Sequence, residues 1–150
     1  MSNVRHHTLS SMKILTERIG LKTSGAGDLI DITARLNPIL KKFGLSDGLL
    51  TVFCAGSTLG VACFEYEPGL IKDMKGLYEK LASSDERYAH DAAWGDANGF
   101  SHLRSALQGT SMSVPFENGK LMLGTWQQVV IAEFDNRPRS REIIVQLMGE

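Results

Sequence analysis

The clearest periodicity along this chain lies in the segment from Pro68 to Leu81. Its apolar residues recur three or four positions apart, which is the spacing that places side chains on one face of an α-helix. Pro68 stands at the start, where a helix has no partner for the missing N–H. The pattern predicts a helix over 68–81, with an apolar face formed by Leu70, Ile71, Met74, Leu77, Tyr78 and Leu81.

A second helix is predicted over Thr33 to Phe43. Thr33 and Asn37 are rival N-caps, because both side chains accept hydrogen bonds from the backbone N–H groups of a first turn. Pro38 favours the later start, at Asn37, since proline suits the first helical position and damages a helix interior. Gly44 supplies the left-handed residue that ends the helix. The apolar residues at helical spacing are Leu36, Ile39, Leu40 and Phe43.

A third, shorter helix is predicted from Ser101 to Gln108. Leu103 and Leu107 lie four positions apart and therefore share one helix face. We expect this face to point inward and Gly109 to end the helix.

The remaining apolar segments are short and have the composition of strands. Leu49 to Ala55 is almost wholly apolar, which predicts a strand covered on both faces, with Val61 to Phe64 as its hairpin partner. Asn118-Gly119 separates two further segments, 111–116 and 121–124. This dipeptide predicts a tight hairpin, because both central residues of such a turn need positive φ. The other predicted strands are 13–21, 29–32, 126–134 and 142–148.

These elements together predict an α+β fold. Two or three helices are inserted among the strands of the first two-thirds, and a β-meander follows at the C-terminal end. The large number of strands makes a β-rich, sandwich-like sheet the expected architecture.

The bulk composition narrows the class of protein. With 150 residues, 43% of them apolar and 22% charged, the chain is expected to form one soluble domain. A net charge of −1 argues against nucleic-acid binding, which needs a basic surplus. No apolar run approaches the roughly 20 residues that a membrane span requires.

The N-terminal segment and the cysteines bear on the compartment. The start of the chain has no apolar run of the kind found in signal peptides, and we expect residues 1–12 to form an extended arm. Cys54 and Cys63 lie in apolar surroundings and are expected to be buried free thiols. These features predict a cytoplasmic protein.

Two of the four histidines, His90 and His102, lie twelve residues apart in a stretch rich in glycine and aspartate. A loop would have to bring them together, because this spacing is too wide for one helix face. Asp91 and Asp96 lie beside or between them, and Glu65 is a further candidate carboxylate. A His/His/carboxylate set suits zinc or a similar divalent ion. The alternative is that each histidine makes only local hydrogen bonds.

Arginine residues alternate just before the last predicted strand, at Arg137, Arg139 and Arg141. Alternate strand residues project from one face, so three guanidinium groups could hold a phosphate or pyrophosphate. Arg104 could join them. The alternative is a solvated strand edge whose charges discourage aggregation.

Small residues form the segment Gly56 to Gly60, between two predicted strands. The backbone and hydroxyl groups of Ser57 and Thr58 could hold an anion, although a tight hairpin needs the same glycines for its geometry. Glu65 and Glu67 could form an acid/base pair. For Glu67 we favour a role as cap of the following helix.

Trp126 and Gln127 are predicted to be structural. A buried tryptophan contributes a large apolar area and one donor that needs a partner. Gln127 could supply such a polar contact or line a cleft.

Several short motifs follow one another along the chain: Asp31-Ile32-Thr33, Glu65, Tyr88-x-His90, Asn98-x-x-x-His102-Leu103, Gly124-Thr125-Trp126-Gln127, Glu133-Phe134-Asp135 and Arg137-Pro138-Arg139-x-Arg141. Their order and spacing resemble the YjbQ family from Lys13 to Glu150. The resemblance implies a single YjbQ-like domain over 1–150, with an α+β, sandwich-like fold. It also implies a trimer with a histidine-containing cleft near the subunit boundary and a weak thiamine-phosphate synthase activity.

The chain departs from many family members at two places. It has Gly56-Ser57-Thr58-Leu59 where they carry His-Thr-Thr-Ala or His-Thr-Ser-Ala, and Phe64-Glu65-Tyr66 where they carry Asn-Glu-Asn. In this it resembles a second branch with a Glu-Tyr-Glu-Pro-Gly stretch. A three-histidine metal site is therefore not available from these positions, which leaves two histidines plus Glu65 or Asp96.

The resemblance implies coupling of a pyrimidine pyrophosphate to a thiazole phosphate, with release of pyrophosphate. Arg137, Arg139 and Arg104 would hold phosphate groups. His90 and His102 would bind a divalent ion, zinc or magnesium, or act as acid and base. The alternatives are a trimer that binds a metal or a phosphorylated metabolite without catalysis, and an assembly protein with a vestigial site.

Overall fold

A computed structural model describes residues 12–150, so most of the predicted N-terminal arm lies outside the described residues. Within this range the chain forms eight strands and four helices. The strands are β1 (Lys13–Thr23), β2 (Asp28–Asp31), β3 (Gly48–Cys54), β4 (Leu59–Phe64), β5 (Ser111–Glu117), β6 (Lys120–Leu121), β7 (Gln128–Glu133) and β8 (Arg139–Gly149). The helices are α1 (Thr33–Phe43), α2 (Pro68–Leu81), α3 (Ala89–Trp94) and α4 (Gly99–Gln108).

The strands form two antiparallel sheets, which confirms the predicted β-rich α+β class. One sheet has the order β1-β8-β3-β5-β6, and the other has the order β2-β7-β4. The main core lies between them, where every second residue of each central strand points inward. No helix in residues 12–150 has the length and apolar character needed to cross a membrane.

Strand β7 is buried on both faces and connects the two apolar clusters of the molecule. Val129 and Ile131 point into the main core, whereas Val130 and Ala132 point to the opposite side. There they are covered by α2, and Tyr78 meets Phe134 edge to face with ring centroids 4.8 Å apart. The end of β7 is therefore enclosed by protein on every side, which matters for the charged residues found there.

The prediction for β3 is wrong in two respects. Leu50 and Val52 are buried, but Phe53 is 42% exposed, so only one face of the strand is covered within a single chain. β4 is also not its hairpin partner, because β3 pairs with β5 and β8 while β4 pairs with β7 in the other sheet. The chain crosses between the sheets in the segment 55–58.

Helix α1 has the predicted range, Thr33–Phe43, but the later start at Asn37 that Pro38 favoured is wrong, because Pro38 lies in the helix interior. Tertiary contacts hold the first turn: the Asp31 carboxylate accepts from the Thr33 N–H at 2.8 Å, and Thr33 Oγ1 accepts from the Val129 N–H at 2.8 Å. These contacts and the burial of Leu36 outweigh the disadvantage of the proline.

Helix α2 has the predicted bounds, and the capping role of Glu67 is confirmed. The Glu67 carboxylate accepts from the N–H groups of Gly69 at 2.6 Å and Leu70 at 2.9 Å. These two bonds lower the pKa of Glu67 below its ordinary value, because they favour the charged form.

Helix α4 buries a face that the leucine spacing did not predict. Leu103 and Leu107 are 46% and 67% exposed, whereas Ser101 and Ser105 are buried. The serine hydroxyls donate to the carbonyl oxygens of Phe134 and Leu59, both at 2.5 Å. The helix therefore docks on the sheet through polar contacts.

Two other local predictions have opposite outcomes. Asn118 and Gly119 both have positive φ, at 51° and 68°, which confirms the tight hairpin. Trp126, by contrast, is 69% exposed, so it is not a buried structural tryptophan.

Cys54 and Cys63 are free, and burial raises the pKa of Cys54 to about 12.

Two glycines give a matched test of helix stability. Gly76 lies inside α2, and an added Cβ meets nothing within 4 Å. Gly76→Ala should raise the free energy of unfolding by about 1 kcal/mol. Gly44 has equal space but a φ of +64° at the end of α1, so Gly44→Ala should lower the free energy by about 1 kcal/mol. Urea denaturation measures both, and the same sign for both variants would contradict this account.

Candidate functional site

The two histidines of interest lie on consecutive short helices, α3 and α4, that meet at a sharp corner. Asp91 holds this corner, because its carboxylate accepts from the Tyr88 N–H at 2.9 Å and from the Gly99 N–H at 2.8 Å. These bonds lower the pKa of Asp91 below its ordinary value. Gly99 permits the close approach, since a Cβ there would lie 2.6 Å from Tyr88 Cβ. The sequence pattern indicated only a loop where α3 forms.

The corner brings His90 and His102 together, as the sequence hypothesis required. Their ring centroids are 4.3 Å apart, with an interplanar angle of 31°. His90 Nδ1 lies 3.8 Å from Asp96 Oδ1, and Asp91 adds a third donor atom within 4.8 Å of the other two. Among the described side chains, His90 Nδ1 is one of two buried polar atoms that make no hydrogen bond. The cluster therefore presents an imidazole nitrogen with a free position opposite a carboxylate.

A surface pocket of about 320 Å³ adjoins the histidines. His102 lines one side of it, and Ser57 and Thr110 contribute hydroxyl groups. Ser105, Ala106 and Gly109 complete the wall. The pocket thus has room for a small molecule beside the His90–His102 cluster.

Arg139 and Arg141 are not free to hold a phosphate as predicted. Arg141 donates to both oxygens of Glu133 at 2.7 Å, and Arg139 pairs with Asp135 at 2.6 Å. Both carboxylates are buried, with exposures of 0% and 1%. Two positive and two negative charges cancel within this network, so the arginines are committed to internal ion pairs.

The internal network has further polar members. Thr23 Oγ1 donates to Glu133 at 2.9 Å, and Thr58 Oγ1 accepts from Arg141 at 2.8 Å. Thr58 is thereby a structural residue, since its hydroxyl is used and its side chain is buried. The hydrogen bonds that Arg141 donates to Glu133 raise the pKa of Arg141 above its ordinary value, which keeps the guanidinium charged.

Arg104 and Arg137 have different environments. Arg104 is 3% exposed, donates to the Ala82 carbonyl oxygen at 2.8 and 2.9 Å, and pairs with Glu79 at 2.6 Å. It is therefore not available as a phosphate ligand. Arg137 is exposed and follows Asn136, whose amide donates to the Asp96 carbonyl oxygen at 2.8 Å. Arg137 is the one member of the predicted arginine set that is exposed and next in sequence to a residue contacting the cluster.

Glu65 lies away from the histidines. It directly follows the last residue of β4, whereas Ser57, which lines the pocket with His102, lies two residues before the first. The six residues of β4 span about 16–20 Å at 3.3 Å per residue. The structure therefore brings together His90, His102 and Asp96, but not Glu65.

Sequence reasoning missed the roles of Glu133, Asp135, Asn98 and Asn136. Glu133, Asp135 and Asn98 stood in motifs, but the two carboxylates were not recognised as partners of the arginines and Asn98 was not recognised as a partner of Asp96. A charged residue directly after the apolar run Val129 to Ala132 was the available signal, because such a residue needs a buried partner. The two asparagines gave no comparable signal.

Comparison with known proteins places this fold and site in context. A family described as UPF0047 protein YjbQ-like matches residues 17–150. The chain belongs to the YjbQ family. A UPF0047 protein of Methanothermobacter thermautotrophicus is 39% identical over 139 residues, which cover 93% of this chain and 95% of that protein. A UPF0047 protein of Archaeoglobus fulgidus is 38% identical over 128 residues, covering 85% and 97%.

Solved structures of YjbQ-like proteins share the fold. A YbjQ-like protein of unknown function from Sulfolobus solfataricus P2 is similar with a TM-score of 0.87 and 29% identity, covering 93% of this chain and 100% of that chain. A YjbQ/UPF0047 family protein from Clostridium acetobutylicum gives a TM-score of 0.79 and 32% identity, covering 87% and 98%. The family assignment made from short motifs is thus confirmed.

Proposed function

We propose that this YjbQ protein binds a divalent metal ion at His90 and Asp96 and holds a phosphorylated metabolite beside it, with weak thiamine-phosphate synthase activity. The observation that carries the proposal is the free, buried Nδ1 of His90 facing the Asp96 carboxylate. A buried polar atom without a partner needs an explanation, and an ion that binds it is one such explanation.

The distance between the two donor atoms supports a metal ion. At 3.8 Å, His90 Nδ1 and Asp96 Oδ1 are too far apart for a hydrogen bond. Their separation is slightly shorter than the sum of a zinc–nitrogen and a zinc–oxygen bond, about 4.1 Å. One ion can therefore contact both atoms. The donor atoms that lie within 4.8 Å of one another come from His90, Asp91 and Asp96, and the imidazole nitrogen in this set favours zinc over magnesium, which prefers oxygen ligands.

The charge balance of the surroundings supports a role for the metal in phosphate binding. Arg139 and Arg141 are neutralised by Asp135 and Glu133, so they add little net positive charge. When bound, a divalent ion supplies the positive charge that attracts a phosphate and neutralises a leaving pyrophosphate. Arg137 provides an exposed guanidinium on the adjoining loop, and Ser57 offers a hydroxyl in the pocket.

His102 is the candidate acid or base, because it belongs to the histidine cluster and also lines the pocket. If it transfers a proton during coupling of a pyrimidine pyrophosphate to a thiazole phosphate, His102→Ala should reduce turnover by about 10²-fold or more. Mass spectrometry of the product measures this effect, and Leu103→Ala, which changes an exposed neighbour on α4, is the control.

Unchanged turnover in His102→Ala would remove this histidine from the reaction. Stabilisation of the wild-type protein by inorganic pyrophosphate and Zn²⁺ without any product would identify the non-catalytic binding protein instead.

A trimer is part of the proposal, and the outer face of the larger sheet supports it. Ile14 pairs with Met148, which pairs with Leu49, so an apolar row crosses three strands on the uncovered side. These side chains are 62%, 41% and 41% exposed. Burial of such a row against other copies would remove apolar surface from water.

Light scattering tests this assembly. We expect a mass about three times the 16.5 kDa of one chain, and a lower mass for Phe53→Lys, which adds a charge to the same face. A wild-type protein that remains a monomer at micromolar concentration would contradict it.

A further inference from the structure

The loop 95–98, between α3 and α4, holds Asp96 in an unusual way. Gly95 and Ala97, on either side of Asp96, both have left-handed φ values, 71° and 51°. Glycine adopts this conformation easily, but alanine does so rarely because its Cβ approaches the backbone. A strained residue persists only where its surroundings enforce it, so contacts near Ala97 must fix the loop.

Asn136 supplies one of these contacts from a distant part of the chain. Its side-chain amide donates to the carbonyl oxygens of Asp96 at 2.8 Å and Ala97 at 3.3 Å. Asn136 lies after β7, next to the buried Asp135, and is thus anchored to a rigid part of the fold. The amide therefore ties the backbone of the loop to the end of the smaller sheet.

Asn98 supplies the second contact, on the side chain of Asp96. It occupies the N-cap position of α4, yet its side chain makes no capping hydrogen bond. With the amide assigned so that Nδ2 faces Asp96, Asn98 donates to both carboxylate oxygens at 3.1 and 3.3 Å. Asparagine normally caps a helix with its side-chain oxygen, so this orientation commits the residue to Asp96.

Asn98 also links the carboxylate to the second histidine. Its carbonyl oxygen accepts from the His102 N–H at 3.4 Å and from the Ser101 N–H at 2.9 Å in the first turn of α4. The residue is 6% exposed and therefore has little freedom to move. A single buried residue thus contacts Asp96 through its side chain and His102 through its backbone.

We propose that Asn98 and Asn136 are positioning residues that fix the Asp96 carboxylate opposite His90 and His102. This inference rests on the proposed metal site and adds the two residues that give it its geometry. Residues that orient a metal ligand in this way commonly change metal affinity by 10- to 100-fold when they are replaced.

Cobalt(II) binding tests the proposal, since Co²⁺ substitutes for Zn²⁺ at nitrogen and oxygen sites and its visible absorption reports the coordination geometry. Asn136→Ala removes an exposed side chain and should leave the folded protein intact. We expect its Co²⁺ dissociation constant to rise 10- to 100-fold and its absorption spectrum to change, while Asn98→Ala gives the same result or a larger one. Asn118→Ala, at the distant hairpin turn, is the control and should bind like the wild type.

The outcomes separate this inference from the function on which it rests. If the wild type and both variants bind Co²⁺ within about threefold of one another and with one spectrum, the two asparagines do not position the site and the inference is wrong. If the wild type itself binds no Co²⁺, the proposed metal site is wrong, and the inference that rests on it is wrong as well. Weaker binding with an altered spectrum in Asn136→Ala, at an unchanged melting temperature without metal, supports the inference.

Discussion

Arg141→Ala should lower the free energy of unfolding by about 3–5 kcal/mol, which is the range for breaking a buried ion pair. The Arg141 side chain is 14% exposed and its partner Glu133 is fully buried. Removal of the guanidinium leaves the Glu133 carboxylate charged in the protein interior and without the two hydrogen bonds that Arg141 donates. Arg141→Lys keeps the charge but loses the bidentate geometry, so its loss should be intermediate.

Chemical denaturation measures this effect, and the chain offers a matched control. Arg18 and Glu142 form a pair at 2.5 Å, but their side chains are 60% and 56% exposed. Arg18→Ala should therefore cost only about 0–1 kcal/mol. Equal losses for Arg141→Ala and Arg18→Ala would show that the network at the end of β7 does not depend on burial.

His90→Ala should weaken Zn²⁺ binding by about 100-fold or more, because it removes a direct ligand rather than a residue that orients one. Asp96→Asn should weaken binding in the same direction, since it removes the carboxylate charge at constant size. Isothermal titration with Zn²⁺ measures both affinities. Neither change should greatly affect folding, because His90 and Asp96 are 33% and 45% exposed.

A second exposed aspartate serves as a control that shows whether the loss of Zn²⁺ affinity is specific to Asp96. Asp73 is exposed on α2 and belongs to no group of neighbouring metal-binding side chains among the described residues, so Asp73→Asn should bind Zn²⁺ like the wild type. If Asp73→Asn and Asp96→Asn lose the same affinity, the ion is held by general negative charge and not by the His90–Asp96 pair.

The parts of the fold that could be predicted depend on local chemistry. Helix α2 follows from its apolar period, from Pro68 at its start and from the carboxylate of Glu67, all within one segment. The hairpin at Asn118 follows from the backbone preference of two residues. In each case the interactions that decide the structure lie close together in sequence.

The parts that failed depend on partners that are distant in sequence. Leu103 lies on a helical face, but Ser101 and Ser105 find backbone acceptors on β4 and after β7, so α4 buries the opposite side. For β3, a hydrophobic run predicts that both faces of the strand are buried, but it does not indicate whether the second face is covered by the same chain. Phe53 is exposed in one chain for this reason.

The candidate site divides in the same way. His90 and His102 could be chosen from residue type, and they do meet. Arginine spacing predicts a common direction but gives no information on the carboxylates that Arg139 and Arg141 face. Arg104 was also assigned to phosphate without knowledge of its partners. These partners are Glu79 in α2 and the carbonyl oxygen of Ala82, which follows α2.

The most direct test of the account is the zinc content of the wild-type protein after equilibration with Zn²⁺ and dialysis, measured by elemental mass spectrometry. The account predicts about one zinc ion per chain, and a large loss of that metal in His90→Ala. A wild-type protein that retains no zinc would contradict the central claim, as would a His90→Ala variant that retains as much zinc as the wild type.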